Sequence, residues 1–550
     1  MMRKLILSLC LLASVSCGYA QTTNEKGEEF LDLNKPERLE WLKDAGFGMF
    51  IHFSFDSQLG IVISHSMAGA SQDYLNRFIN ELPKTFNPRE FSGEDIAILA
   101  KLAGMKYIVL TTKHHSGFCL WDTKSTDFNI MNTPYGKDLV KEYVEACNKY
   151  GLGVGFYYSP EDFHFLHQNG QTVRRRFPEP IPSKVMDKYL DFTEQQLTEL
   201  MTNYGKIDVF FFDGGEGPLQ EKSKEVVWRI QPNVLVTRGA ISTPEQYVPG
   251  LPSNEAWEAC VTMGTQWQYK PTNDDYKSGG RLIEILIESR AKGGTFLLNV
   301  GPKPNGELPI EQEERLREVG AWNFVNQEAV QNVRPWIITN EEDMWFSKSK
   351  DVNTVYVYLT KMPNWPRGDR REFILKSVKA TDATKISILG QSSEMVEYNP
   401  SADATARFKQ MEDGLHISVV RAQRIYNNHK WPNPIVVKIE HAEPALDPPF
   451  VATISAIAAD QRMMLKGELL KKGDGDKFEV GFLYRPYAGF AENLTGGGWS
   501  YSHFIEIDGL EKFNVGVNDL TPGMEYEYRA VVRHPKIEVK GEIKRFTTPL

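Results

Sequence analysis

From Phe47 to Val330 short apolar runs alternate with longer stretches whose apolar residues recur every three or four positions. The runs Phe47–Phe53, Tyr107–Thr112, Gly153–Ser159, Ile207–Asp213, Val234–Arg238, Ala256–Thr262 and Thr295–Val300 read as strands buried on both faces. Between them Gly93–Leu102, Asp138–Tyr150, Lys184–Tyr204, Lys222–Ile230, Gly280–Lys292 and Ile310–Gln327 carry the helical period. Gly104, Gly151, Gly205 and Gly293 closely follow helix ends. Repeated strand-helix units over this length predict a parallel sheet closed into a (β/α)8-like barrel across residues 21–335. The pattern shows seven clear strands, so an eighth is hidden or the barrel is irregular.

After Pro335 the texture changes to short, alternating, turn-separated strands. Thr354–Leu359, Glu372–Leu375, Lys385–Leu389, Leu415–Val420 and Ile435–Glu440 predict a β-sandwich over 336–442. A proline-rich linker follows at 443–449. Residues 450–550 read as a second all-β unit, where Leu520-Thr521-Pro522-Gly523-Met524-Glu525-Tyr526 has the form of a fibronectin type III turn. The expected architecture is multidomain: a barrel, a sandwich and a fibronectin type III-like domain.

Several barrel strands end in polar groups. Phe53 follows His52, Thr112 is followed by Lys113 and the pair His114-His115, and Tyr157-Tyr158, Asp213 and Arg238 close three further runs. In a parallel barrel such groups gather at one mouth and build one pocket. An acid where a buried strand leaves the sheet is costly to desolvate and must be used or paired. A strand-terminal aspartate before glycine is also a common turn former, so Asp213 gains weight from its neighbours. Rings to cover a sugar's apolar faces and charged planar groups for its hydroxyls suit carbohydrate chemistry. Glycoside hydrolysis asks for two carboxylates. Asp213 fits one, and Glu258, Glu255, Glu216, Glu161 and Asp162 compete for the other. His52, His114, His115 and Asp213 also make a plausible metal set. Barrel metal sites usually draw a histidine from a late strand, and none lies between His167 and His416. No metal and no cofactor is expected.

The pieces Gly46–Phe53, Thr112–Phe118, Trp121-Asp122, Phe156–Ser159, Phe212–Gly214, Trp257–Cys260, Gln266–Tyr269 and Leu298–Pro302 together resemble glycoside hydrolase family 29, the α-L-fucosidases. The resemblance runs from about Glu40 to Val330 and continues weakly beyond. It implies a retaining exo-glycosidase releasing terminal L-fucose through a covalent intermediate on Asp213. It further implies hydroxyl contacts from His52, His114 and His115, pocket positions for Tyr157 and Arg238 beside the nucleophile, and an aromatic wall at Trp267. Glu258 is the chosen acid/base. The chain departs from the family pattern at Ser116, where His-His is usually followed by aspartate. It departs again at Gln72, which stands for a sugar-binding glutamate, and at Ser54, which replaces a glycine. Substrate choice is therefore more open than reaction type. A galactose-configured glycoside is one alternative, and a silent glycan-binding protein another.

Composition narrows the setting. With 63 basic and 72 acidic residues, a net charge of -9 and no basic block, nucleic acid and anionic membranes are poor partners. An oligosaccharide or glycoconjugate is the expected one. Arg3-Lys4, the apolar Leu5–Val15 and Gly18-Tyr19-Ala20 read as an export signal over 1–20, placing the protein in the periplasm or outside the cell. Lipid attachment at Cys17 is the alternative, though Ser14-Val15-Ser16 lacks the expected leucine. Cys119, Cys147 and Cys260 remain, odd in number and set in apolar stretches, so neither disulfides nor a cysteine metal site is expected. No later stretch is long and apolar enough to span a bilayer.

Overall fold

The computed structural model describes residues 21–23, 29–173, 180–214, 217–362, 364–423, 433–459, 462–487 and 498–549. The proposed export signal and Glu216 lie outside them. Seven parallel strands form one curled sheet: β1 (Phe47–Ile51), β2 (Tyr107–Lys113), β3 (Gly153–Tyr158), β4 (Val209–Phe212), β5 (Leu235–Val236), β6 (Glu258–Thr262) and β7 (Thr295–Val300). Their order is β5-β4-β3-β2-β1-β7-β6, so β5 and β6 are the two edges. Helices α1 (Pro36–Ala45), α2 (Gln72–Asn80), α3 (Gly93–Leu102), α4 (Leu139–Tyr150), α5 (Phe163–Gln168), α6 (Ser183–Asn203), α7 (Pro218–Ile230), α8 (Gly279–Ala291) and α9 (Ile310–Asn326) accompany it.

The expected eight-stranded closure is corrected to a seven-stranded half-barrel. The gap between its edges is spanned by an irregular segment, 242–246. It pairs with the chain at β6 through isolated bridges, Ser242 with Trp257 and Glu245 with Cys260. Cys260 N donates to Pro244 O and Gln246 N to Cys260 O. Pro244 has no N–H to offer a ladder, and Gln246 sits at φ 64°, outside strand geometry. Both break what would have been the eighth strand.

Alternation along each strand sorts side chains to two faces. Phe50, Tyr107, Val109, Tyr157, Val209, Phe211, Leu235, Cys260 and Leu297 pack together inside the curl. Met49, Ile51, Ile108, Leu110, Phe210 and Phe212 join the helices in the larger core outside it. The inner rows continue two residues further as His52, Asp213 and Asn299. Local sequence thus aims these polar groups at the mouth.

Position along the strand corrects Glu258. It opens β6, opposite Thr295 at the start of β7, and accepts a hydrogen bond from the hydroxyl of Tyr107, which opens β2. It is fully buried at the floor, about 13 Å below the mouth at 3.3 Å per residue, so it cannot serve a sugar there. Burial pushes its carboxyl up to about 7, against the lowering effects of Tyr107, Thr237 and Arg238. Glu255, just before it, is exposed at the same end. Nearby, buried Arg290 donates to the carbonyls of Lys43, Val330, Val333 and Gly294, tying α1, β7 and the chain leaving the barrel.

Beyond the barrel all strands are antiparallel. Val333–Glu341, Met344–Ser349, Thr354–Leu359, Ile435–Pro444 and Val378–Ile388 make one sheet, in that order. Arg370–Leu375, Gly414–Val420 and Arg407–Met411 make a second. Phe346, Val357, Leu375, Ile417 and Val437 form their shared core. The last sheets hold Phe450–Ala459, Arg462–Lys471 and Lys512–Val517, and a six-stranded set centred on Phe478–Pro486 and Glu525–Arg533. Val451, Leu465, Phe482, Val515 and Tyr528 pack between them. Thr521 N donates to the Tyr526 hydroxyl at 3.0 Å. Among the described residues no helix is long and apolar enough to cross a membrane.

Two outcomes are expected from the barrel floor. The folded chain holds the Glu258 proton up to about pH 7, whereas the unfolded chain releases it near 4.5. The contribution of that site is full below 4.5 and declines as pH rises through the folded value. Glu258→Gln should therefore gain Tm relative to the parent between pH 5 and 8; an unchanged Tm profile across that range contradicts the buried placement. Arg290→Met leaves buried carbonyls without donors and should cost about 3 kcal/mol or more in chemical denaturation.

Candidate active site

Asp213 stands one residue beyond β4, its side chain 21 % exposed. Its N–H donates to Tyr158 O, continuing the ladder for one more residue. Gly214 then turns at φ 76°, and a Cβ there would lie 3.1 Å from His115 Cε1 and 3.2 Å from Glu161 Oε2. Only glycine suits both the backbone and the space. The carboxylate is held from both sides: Tyr157 OH donates to Oδ2 at 2.9 Å and Arg238 to Oδ1 at 3.2 Å.

Arg238 follows β5, with its guanidinium carbon 4.7 Å above the Phe211 ring centroid. Its Nε donates to Thr243 Oγ1, and one terminal nitrogen reaches Thr243 O and Cys260 Sγ. The nitrogen that binds Asp213 also donates to Glu245 Oε2 at 3.1 Å. Glu245, 43 % exposed, comes from the irregular segment that replaces the eighth strand. Sequence reasoning passed it over because Ser242-Thr243-Pro244-Glu245 reads as a loop. The available signal was an acid seven residues after the arginine that closes a strand.

Three imidazoles are each anchored through Nδ1. His52 Nδ1 lies 2.6 Å from Asn299 Oδ1, and Asn299 Nδ2 donates to Trp267 O at 2.6 Å. The amide therefore presents its oxygen to His52, which carries its proton on Nδ1 and keeps Nε2 as an acceptor. Burial pulls His52 down to about 4, although Asn299 and Asp213 oppose this, so the ring is neutral at ordinary pH. His115 Nδ1 lies 2.6 Å from Ser159 Oγ, whose own proton goes to Glu161 O. His115 thus donates from Nδ1, and its Nε2 is 3.6 Å from Asp213 Oδ2. His114 Nδ1 is 2.9 Å from Ser64 Oγ.

His114 and His115 lie past the end of β2, so strand alternation does not separate them; their ring centroids are 4.3 Å apart. Gly117, at φ 86°, closes the bend by donating to His114 O. Tyr157 stacks on His114 at 5.2 Å and 2°. Trp267 is half-buried, 4.8 Å from the His52 ring. His52, His114, His115, Tyr157, Asp213, Arg238 and Trp267 are thus brought together.

Gln72 is not among them. It opens α2, is exposed, and among the described residues has no hydrogen bond to the imidazoles. His65 instead lies beside the imidazoles, 6.2 Å from His114 and 5.9 Å from His115 between ring centroids. Ser116 is buried and donates its N–H to Ser64 Oγ at 2.9 Å. Glu161 is buried behind His115, 3.5 Å from Nδ1, and Asp162 pairs with Lys113 at 2.9 Å. Neither faces outward as an acid for a departing group would.

Side-chain donors of His114, His115 and Asp213 lie within 4.8 Å of one another, close enough to hold a cation. Arg238 already supplies positive charge to Asp213, so the electrostatics favour a neutral polyol over a metal. Anchored hydroxyl acceptors, an aromatic wall and two carboxylates across one guanidinium match a sugar site.

Comparison with known proteins agrees. A family model described as Alpha-L-fucosidase matches residues 13–328. An α-L-fucosidase of Dictyostelium discoideum is 27 % identical over 397 residues, covering 64 % of this chain and 84 % of that protein. Plasma α-L-fucosidase of Homo sapiens is 28 % identical over 403 residues, covering 64 % and 82 %. Among solved structures, α-L-fucosidase isoenzyme 1 from Paenibacillus thiaminolyticus superposes with a TM-score of 0.59 at 27 % identity, over 74 % of this chain and 98 % of that one. The α-L-fucosidase from Vibrio sp. strain EJY3 shares the fold over 94 % of this chain and 93 % of its own, with a TM-score of 0.64 at 20 % identity. With its matched region covering more than half its length, this chain belongs to the α-L-fucosidase family and is a glycoside hydrolase.

Proposed function

We propose that the protein is an exported, retaining exo-α-L-fucosidase acting on fucosylated glycans, with Asp213 as nucleophile and Glu245 as acid/base. The observation that carries this reading is the shared guanidinium. Asp213 and Glu245 both lie within hydrogen-bond reach of one Arg238 nitrogen, which suits the spacing of roughly 5–5.5 Å between carboxyl groups in retaining enzymes. Tyr157 and Arg238 keep Asp213 ionised and fix the oxygen that attacks C1. Protonated Glu245, the more exposed of the two, gives its proton to the departing glycosidic oxygen. Once the ester forms, Glu245 is the group placed to take a proton from the incoming water. His52, neutral with Nε2 as acceptor, takes a hydroxyl proton of the sugar. His114 and His115 hold neighbouring hydroxyls, and Trp267 covers an apolar face. Export rests on the leader-like residues 1–20 alone.

The remaining chain is read as a division into 21–335, 336–442, the linker 443–449 and 450–550. The Thr521–Tyr526 hydrogen bond supports a fibronectin type III-like character for the last unit.

Substitution separates the two carboxylates. On an aryl α-L-fucoside, Asp213→Ala should lose at least about 10³-fold in kcat. Azide should restore part of that by direct displacement, giving the β-configured fucosyl azide. Glu245→Ala should keep good leaving groups within reach and slow poor ones most; azide then captures the covalent intermediate and yields the α-configured azide. Azide products of the same configuration from both variants refute the assignment.

A further inference from the structure

We propose that His65 is a fourth sugar-facing imidazole, binding a ring hydroxyl that His52 does not reach and so helping to set which glycoside the pocket accepts. The proposal rests on the sugar-site reading above and adds a specificity residue to it. Trp267, His52, His114 and His65 form an arc with successive ring centroids 4.8, 5.9 and 6.2 Å apart. Tyr157 lies 5.5 Å from His52 and 5.2 Å from His114, with Asp213 hydrogen-bonded to its hydroxyl. A pyranose presents hydroxyls around its rim, so successive groups along such an arc meet different ones. His65 stands at the other end of this series from Trp267 and is half-buried.

The local backbone is built to hold it there. Ser64, immediately before, is fully buried at φ 61°, a conformation costing a non-glycine residue roughly 1–3 kcal/mol. Three contacts enforce it. Buried Asp56 accepts from Ser64 N at 2.6 Å, and Ser64 Oγ meets both His114 Nδ1 and Ser116 N at 2.9 Å. His65 N donates to Val62 O and Ile63 O. On the far side Gln268 Nε2 donates to Ile61 O at 2.6 Å, tying this turn to the Trp267 segment. Gly69 N reaches Val173 O. The strained residue thus links the orientation of His114 to that of His65, and both ends of the arc are fastened to each other.

The test is a cycle between protein and substrate. His65→Ala and His65→Asn are compared with the parent on a 4-nitrophenyl α-L-fucoside and its monodeoxy analogues. The expected result is a loss of about tenfold in kcat/KM for the complete sugar, which disappears for one deoxy analogue because the partner hydroxyl is already gone. His65→Asn should recover part of the loss, and it keeps the cycle readable if the alanine variant folds poorly. No loss on the complete sugar, or the same factor lost on every analogue, overturns the proposal, the latter leaving His65 only a support for its turn. Turnover of the complete α-L-fucoside by the parent tests the fucosidase reading separately. If the parent prefers another glycoside, the same cycle on that sugar decides the role of His65.

Discussion

The Arg238 guanidinium is the group on which the arrangement of the mouth depends. Two carboxylates brought close together repel, and near a low-dielectric interior that repulsion would protonate one or push the chains apart. Arg238 removes the conflict by donating to both from a single nitrogen, and its plane lies over Phe211 while its other donors are taken by Thr243 and Cys260. A partly buried cation in this position is costly unless every donor finds a partner. Here Thr243 and Glu245 come from one short segment, and Asp213 and Cys260 complete the set. Position, charge and closure of the half-barrel are therefore one problem solved by about nine residues, from Arg238 to Gln246.

The histidines follow a second shared design. Each is fixed at Nδ1 by a neutral hydroxyl or amide from a distant part of the chain: Asn299 for His52, Ser64 for His114 and Ser159 for His115. For His52 and His115 the anchor's own hydrogen bond fixes the tautomer, since Asn299 Nδ2 donates to Trp267 O and Ser159 Oγ to Glu161 O. A carboxylate anchor would instead favour imidazolium and a donor at Nε2. For His52, burial reinforces the neutral state. At His52 the pocket can thus accept a hydroxyl proton, while His115 lies between the carboxylates of Glu161 and Asp213.

Much of this was legible in the chain because buried parallel strands leave an unambiguous mark. The seven apolar runs coincide with the seven strands within a few residues, and the long amphipathic helices fall where their period placed them. His52, Asp213 and Arg238 were found because each follows such a run. Helices α1, α2 and α5 were not read; α2 and α5, of nine and six residues, give few turns for the period to show. Glu258 was misjudged for a different reason. It begins its run rather than ending it, and direction along a parallel strand separates floor from mouth as surely as burial does. Glu245 was invisible to periodicity because Pro244 and the left-handed Gln246 erase the strand that would have pointed to it. Gln72 was chosen from a local motif alone, and it opens α2 on an exposed face.

Glu245 and His65, the two proposed residues not picked out in the sequence, share a local feature. Glu245 is followed by Gln246 at φ 64°, and His65 is preceded by Ser64 at φ 61°. A serine and a glutamine gain nothing intrinsic from the left-handed region, and each is held there by contacts to the barrel: Ser64 through Asp56, His114 and Ser116, and Gln246 through Cys260 O and Thr262. Strain persists where surrounding structure over-determines it, and it collects where a side chain must be aimed against local preference. The regular sheet can aim groups only along its inward rows, which is enough for His52, Asp213 and Asn299. Groups that must approach the sugar from the open side of a half-barrel have no row to follow, so they require backbone that departs from both helix and strand. The incomplete closure between β5 and β6 is in this sense a condition of the site, because a regular eighth strand would have left no irregular turn from which Glu245 could reach across to Arg238.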